Sequence, residues 1–182
     1  MSEPGPLPEG LSSRIDALLR QVPDFPEPGV LFRDITPLLA DADAFRETVD
    51  ALASSAPGPV DLVVGIESRG FVLAAPVATR LGVGLALVRK AGKLPGPTEA
   101  ESYTLEYGTA TVEVHPFTVP SGSRVLVVDD VLATGGTAAA TVKLLERCGA
   151  HVVQLTFLVE LLGLGGRSRL PRVPTTALLS LP

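Results

Sequence analysis

The run Val125-Leu126-Val127-Val128-Asp129-Asp130-Val131-Leu132-Ala133-Thr134-Gly135-Gly136-Thr137 constrains this chain more than any other stretch. Its first four residues are apolar and mostly β-branched, and read as a buried strand. Two carboxylates, Asp129 and Asp130, stand at the strand's C-terminal end. A small turn follows, Ala133 to Thr137, with two hydroxyls and two glycines. An Ala-rich helix is expected over 137–147. A strand that runs through a short turn into a helix is part of an α/β unit, and ligands of open α/β sheets bind where strands end and helices begin. This turn offers clustered backbone N–H groups, two hydroxyls and the positive end of a helix dipole, which together favour a phosphate. Carboxylates beside a phosphate would repel it, so the two Asp residues need another task, and accepting hydrogen bonds from sugar hydroxyls is the obvious one. The run is built for a sugar phosphate. No Gly-Lys-Ser/Thr closes the turn, so it is not a Walker A loop.

The remaining elements follow from periodicity and punctuation. Helices are expected over 11–21, with Ser12 or Ser13 as cap, over 41–55 and over 70–81 despite Pro76; strands are expected over 60–66, 84–88 and 151–160. Residues 91–102 read as a polar Pro/Gly-bearing loop, and 103–107 with 109–115 as a hairpin. Strands alternating with helices imply an α/β fold with a mostly parallel central sheet flanked by helices. A single domain over 11–182 is expected, with a Pro-rich hood over about 22–37, a flexible β-hairpin lid over about 90–115 and a disordered tail over 1–10.

Composition narrows the class. Of 182 residues, 46% are hydrophobic but only 4% aromatic, with no Trp, so Val, Leu and Ala must fill the core. The formal net charge of −5 argues against general nucleic-acid binding and requires that any anion site be made by local cations. The single Cys148 suits a reducing, cytoplasmic compartment. His115 and His151 are too isolated to bind a metal with it, and both read as structural. No apolar run is long enough to span a membrane, and the N-terminus lacks the apolar core of a signal peptide.

Three further stretches carry chemistry. Val63-Val64-Gly65-Ile66 runs into Glu67-Ser68-Arg69-Gly70, again a strand end, a tight turn and a helix start. Arg69 offers a fork of donors suited to phosphate oxygens; the alternative is a capping Ser68 beside a solvated Arg69. Arg89, Lys90 and Lys93 cluster in a Gly/Pro-rich segment, a local anion site that could also be a plain basic loop. In the stiff run Phe25 to Pro37, Phe32 could stack on a flat base, while Phe25 reads as a staple to the core.

The acidic pair followed by Thr-Gly-Gly-Thr resembles the signature of the type I phosphoribosyltransferases. In that family the pair faces the ribose 2′ and 3′ hydroxyls and the turn wraps the 5′-phosphate, which implies that Asp129, Asp130, Ala133, Thr134, Gly135, Gly136 and Thr137 bind phosphoribosyl pyrophosphate. The Glu67-Ser68-Arg69 turn resembles the pyrophosphate loop of the family's adenine-specific branch, with Ser68 where Ala is commoner. That loop often holds a non-proline cis peptide. Arg89-Lys90, Gly92 to Gly96, Ser102-Tyr103 and Leu105-Glu106-Tyr107-Gly108 resemble the branch's flexible loop. The resemblance implies pyrophosphate binding by Glu67, Ser68, Arg69, Arg89, Lys90 and Lys93, and catalytic roles for Arg69, Glu106 and Tyr107. Glu106 would handle a proton on the purine N7. Leu31, Phe32 and Arg33, with Val131 and Leu132, would bind adenine. Ala133 stands where 6-oxopurine relatives often carry Asp, which favours adenine. The implied fold is the type I phosphoribosyltransferase fold. The implied reaction is adenine plus phosphoribosyl pyrophosphate to AMP plus pyrophosphate, with Mg²⁺ carried mainly by the substrate rather than by direct protein ligands, in a homodimer. Transfer to hypoxanthine, guanine or xanthine is the nearer alternative. A DNA-binding regulator that senses phosphoribosyl pyrophosphate is the more distant one, and the residues before Pro23 are too few and too acidic for a DNA-binding module.

Overall fold

The computed structural model describes residues 9–104 and 108–182. The tail expected over 1–10 therefore lies largely outside the described residues, as do Leu105, Glu106 and Tyr107.

Along the chain the helices are α1 (Leu11–Leu18), α2 (Thr36–Ala40), α3 (Ala42–Ser54), α4 (Arg69–Leu81) and α5 (Gly136–Arg147). The strands are β1 (Arg20–Pro23), β2 (Leu31–Asp34), β3 (Leu62–Ile66), β4 (Gly84–Lys90), β5 (Glu99–Thr104), β6 (Thr109–Val114), β7 (Arg124–Leu132), β8 (His151–Leu161) and β9 (Thr175–Leu181). Seven strands form one sheet in the order β5-β6-β4-β3-β7-β8-β9. From β4 through β9 the neighbours are parallel, and β5 and β6 add an antiparallel edge. Each face is covered. Val63, Leu126 and Val128 turn toward α1, α3 and α4, while Leu62, Val64, Ile66, Val125 and Val127 turn toward α5. This two-sided burial is why β3 and β7 read as continuous apolar runs rather than alternating ones.

The central strands and the α3, α4 and α5 helices stand where periodicity puts them, and Asp41 caps α3 through its carboxylate, which accepts from the Ala44 N–H at 2.8 Å. Other features differ. The first helix ends at Leu18 and has Gly10 at its N-cap; Ser12 is no cap, and its hydroxyl donates instead to the Leu178 carbonyl of β9 at 2.7 Å. The hood is more regular than its prolines suggest: β1 and β2 form an antiparallel ribbon, and α2 follows with Pro37 in its first turn, where a missing N–H costs nothing. Phe25 does not staple the hood to the core. It is 52% exposed and packs edge-on against Phe32. Strand β5 begins at Glu99, within the stretch expected as loop, because pairing with β6 overrides its polar composition. β9 was not foreseen at all.

Strand β7 also runs beyond Val128 through the acidic pair to Leu132. Asp129 and Asp130 thus sit within a strand, in register with Phe157 and its neighbours on β8, and cannot swing as loop residues would. At the far side, a Cβ on Gly70 would lie 2.8 Å from the Asp129 carboxylate and 2.9 Å from the Val128 carbonyl. Only glycine lets the first turn of α4 rest directly on the acidic pair.

Candidate active site

A cleft of about 370 Å³ opens at the C-terminal ends of β3, β4 and β7. Its walls are the Glu67–Arg69 turn, Lys90, Val112 from the antiparallel edge, and the continuous stretch from Asp129 to Ala138. Thus the acidic pair, Val131, Leu132, the whole Ala133–Thr137 turn, Glu67, Ser68, Arg69 and Lys90 converge as the motifs predict. Leu31, Phe32, Arg33, Arg89 and Lys93 do not line this cleft.

Arg69 ties the parts together. Its Nε is 2.8 Å from an Asp130 oxygen, and its Nη1 donates to the Arg33 carbonyl at 3.2 Å. Its guanidinium lies 4.7 Å from the centre of the Phe32 ring. The hood therefore reaches the cleft's edge through Arg69, and one side chain links the base-stacking candidate to the acidic pair. Arg69 is not the solvated residue of the alternative reading. Ser68 makes no capping side-chain bond. The Glu67–Ser68 peptide is cis.

The two carboxylates of the pair differ. Asp130 is buried and neutralised by Arg69. Asp129, half-buried, accepts the Asp130 backbone N–H at 2.8 Å. Burial, and then the charge of Asp130 beside it, hold the Asp129 carboxyl well above the ordinary carboxylate range. Glu67 goes the other way. Burial raises it, but the Lys90 N–H at 2.8 Å and the Arg89 guanidinium more than offset that, so it stays ionised below its ordinary value. Arg89 also donates to the Lys93 carbonyl at 3.0 Å. Arg89 thus ties the Glu67 turn to the segment at Lys93, and of the two neighbouring cations Lys90 is the one that lines the cleft.

The Ala133–Thr137 turn is shaped by Gly135, which takes φ +79° at the N-cap of α5. The first N–H groups of that helix lack helical partners and face the cleft end. Behind the turn lies a prop that sequence reasoning missed. A Cβ on Gly135 would strike the Gly166 carbonyl, and a Cβ on Gly166 would strike the Ala133 carbonyl. The two glycines let backbone press on backbone. The 3₁₀ turn Gly166–Arg169 is itself held by Arg167, which pairs with buried Glu160 and donates to the Thr175 carbonyl at 2.8 Å. Also missed was Tyr103 of β5, whose hydroxyl is 2.9 Å from the Thr137 hydroxyl. The available signal was the Gly-rich run 163–166 followed by Arg, and a tyrosine at the start of the expected hairpin. Neither points to its partner by spacing. Cys148 closes α5, and burial raises its thiol, as suits a structural residue.

A parallel sheet whose central strand ends in an acidic pair and a hydroxyl-rich phosphate turn defines a class of enzymes that handle a phosphorylated pentose. Residues 38–171 match the family model described as "Phosphoribosyl transferase domain", and the chain belongs to that family. Its relatives are narrower in kind. It is 58% identical over 169 residues to the adenine phosphoribosyltransferase of Thermobifida fusca, covering 92% of this chain and 96% of the relative. It is 57% identical over 187 residues to that of Nocardioides sp., covering 99% of this chain and all of the relative. The crystal structure of adenine phosphoribosyltransferase from Rhodothermus marinus matches with a TM-score of 0.92 at 49% identity, over 96% of this chain and 100% of that one. The Saccharomyces cerevisiae enzyme, crystallised with an iminoaltritol bisphosphate and adenine, matches with a TM-score of 0.88 at 39% identity, over 93% and 99%.

Proposed function

We propose that the protein is an enzyme that transfers the phosphoribosyl group of phosphoribosyl pyrophosphate to N9 of adenine, giving AMP and pyrophosphate. The observation that carries this reading is the juxtaposition of an acidic pair with a hydroxyl-rich phosphate turn at one strand end, bridged by Arg69 to Phe32. The naming of near-full-length relatives as adenine phosphoribosyltransferases supports it.

In this reading the 5′-phosphate occupies the Ala133–Thr137 turn and the ribose hydroxyls donate to Asp129 and Asp130. The bond from the anomeric carbon to pyrophosphate oxygen breaks as N9 forms its new bond there, through a loose, cationic transition state. The acidic pair lies close enough to favour that positive charge. Glu67 and Ser68 form the pyrophosphate turn, with Lys90 and Lys93 supplying charge from the lid segment and Arg89 holding that segment in place. Adenine lies against Phe32, with Leu31, Arg33, Val131 and Leu132 around it, and Ala133 leaves room that an acidic residue would fill. Glu106 favours the tautomer with the proton on N7, which leaves the N9 lone pair free to attack, and takes up that proton as the new bond forms; Tyr107 stands beside the reacting sugar. Both are assigned from the family motif. The hood (22–37) and lid (90–115) belong to one domain over 11–182, and closing the lid excludes water that would hydrolyse the activated sugar.

Among the described residues no group of three or more His, Cys, Asp or Glu is placed to hold a metal ion. Two carboxylates beside the cation-bearing Lys90 and Arg69 fit Mg²⁺ borne mainly by substrate oxygens. Such an ion, when bound, supplies charge neutralisation to the departing pyrophosphate. We further assign a homodimeric state and a cytoplasmic setting, which the family and the lone cysteine favour. No helix among the described residues is long and apolar enough to cross a membrane.

The test is turnover with adenine, guanine, hypoxanthine and orotate, each with phosphoribosyl pyrophosphate and Mg²⁺. Adenine alone should turn over efficiently. Preference for a 6-oxopurine would overturn the base assignment, and no turnover with any base would overturn the reaction.

A further inference from the structure

We infer that Tyr103 is a positioning residue of the phosphate turn: its phenol feeds a hydrogen bond to Thr137 and so leaves the Thr137 hydroxyl free to donate to the substrate's phosphate. The inference rests on the assignment of Thr137 to the 5′-phosphate.

The geometry is specific. The Tyr103 and Thr137 hydroxyl oxygens are 2.9 Å apart across 34 residues of sequence. Carbons of the Tyr103 ring stand 3.2 and 3.5 Å from where a Cβ on Gly136 would lie, so that glycine makes the room in which the ring sits. Strand β5 is moored to the same helix at a second point. Arg147, in the last turn of α5, donates to the Glu101 carboxylate at 2.6 Å and to the Ala100 carbonyl, and lies 3.6 Å from Glu99. Two attachments, one at each end of α5, fix the phenol over the helix N-terminus where the phosphate is to bind.

The chemistry gives that contact a direction. Each hydroxyl has one hydrogen, and either oxygen of this pair could donate. A phosphate oxygen only accepts. Once a phosphate binds, the Thr137 hydrogen must point to it, and the Thr137 oxygen is left as an acceptor. Tyr103 is placed to fill that role. A phenol is a stronger donor than an aliphatic alcohol, and in a chain from Tyr103 to Thr137 to phosphate each bond polarises the next. Without the phenol, Thr137 must find another donor or leave its lone pairs unfilled in a half-buried site. The effect falls on the phosphate-bearing substrate and not on the base.

Steady-state kinetics of the full chain with adenine, phosphoribosyl pyrophosphate and Mg²⁺ tests this through Tyr103→Phe, Thr137→Val and the double variant. Tyr103→Phe should raise KM for phosphoribosyl pyrophosphate about two- to tenfold, the worth of one neutral hydrogen bond, with KM for adenine and the melting temperature near wild type. In the Thr137→Val background Tyr103→Phe should add nothing. If Thr137→Val weakens phosphoribosyl pyrophosphate but Tyr103→Phe does not, the inference fails while the phosphate assignment stands. If Thr137→Val has no effect, both fall. A full Tyr103→Phe effect that persists beside Thr137→Val, or an equal rise in both KM values, would also overturn the inference, because the phenol would then act by packing.

Discussion

Asp129 stands at the cleft where two effects oppose its charge. Burial and the neighbouring Asp130 raise its carboxyl well above the ordinary range. A carboxyl whose folded value lies above its unfolded value takes up protons in the folded state, so stability falls as pH rises from the unfolded value through the folded one. Asp129→Asn keeps the oxygen that accepts the Asp130 N–H and removes the charge. We predict that this variant melts higher than wild type at neutral pH, that the gain shrinks as pH falls toward the ordinary carboxylate range, and that KM for phosphoribosyl pyrophosphate rises sharply. Melting curves against pH and steady-state kinetics check the two halves. A lower melting temperature at neutral pH would show that the carboxylate stabilises the fold. Glu106 carries the companion prediction. Glu106→Gln should lose about 10²–10⁴-fold in kcat, the usual worth of general acid–base assistance, with little change in KM. Glu101→Gln should be mild, since its carboxylate faces Arg147 on α5. A reversed order of damage would remove Glu106 from the proton's path. At this scale the β7 half of the candidate site was legible because it is local: Asp129 to Thr137 are contiguous, and one strand–turn–helix carries them. The partners of Arg69 were not, because Asp130, Arg33 and Phe32 lie on other segments and only the strand order brings them together.

The Ala133–Thr137 turn rests on an element outside the cleft. Gly166 and Gly135 meet backbone to backbone, and the Gly166–Arg169 turn is pinned by Arg167 to Glu160 on β8 and to the Thr175 carbonyl just ahead in β9. Gly166→Ala puts a Cβ into the Ala133 carbonyl, which is backbone and cannot swing aside. We predict that it lowers the melting temperature and raises KM for phosphoribosyl pyrophosphate severalfold, with a smaller change for adenine. Equal kinetic constants would mean that the turn holds its shape unaided. Elements resolved from sequence in proportion to how much of their pattern is their own. The buried strands β3, β7 and β8 and helices α3, α4 and α5 carry long apolar patterns, and their positions were legible. The β1–β2 ribbon, the early start of β5 and the whole of β9 are set by tertiary pairing. β9 in particular reads as an unremarkable tail until β8 offers it an edge. Its Leu178 carbonyl then accepts from the Ser12 hydroxyl at 2.7 Å, and the Pro174 carbonyl just before it accepts the Leu155 N–H of β8 at 2.9 Å.

For the molecule as a whole, the cleft is where otherwise separate parts of the chain must agree. The hood reaches its edge through Phe32 against Arg69, while the β3 turn brings Glu67 to Arg69, β4 brings Lys90, and β7 brings the acidic pair and the Ala133–Thr137 turn. The two cores on either side of the sheet share β3 and β7, which end at the cleft, and β8 beside them. A ligand that engages these segments together binds only the folded chain, and so stabilises it by mass action. At about 100 times its Kd such a ligand adds about 2.7 kcal/mol, which for a domain of this size raises Tm by about 5–10 °C. We predict a shift of that order with AMP, which carries both the base and the 5′-phosphate and survives heating. Ribose 5-phosphate, matched to the same multiple of its own Kd, should give the same shift but need a higher concentration, because it leaves the Phe32 side of the cleft unfilled. The doubly substituted Asp129→Asn/Asp130→Asn protein should still melt in one cooperative step, since the sheet, both cores and the Gly70 contact remain, yet lose most of the AMP shift. GMP matching AMP at equal concentration would show that the cleft does not distinguish the bases, and an unchanged AMP shift in the double variant would show that the acidic pair does not hold the ribose.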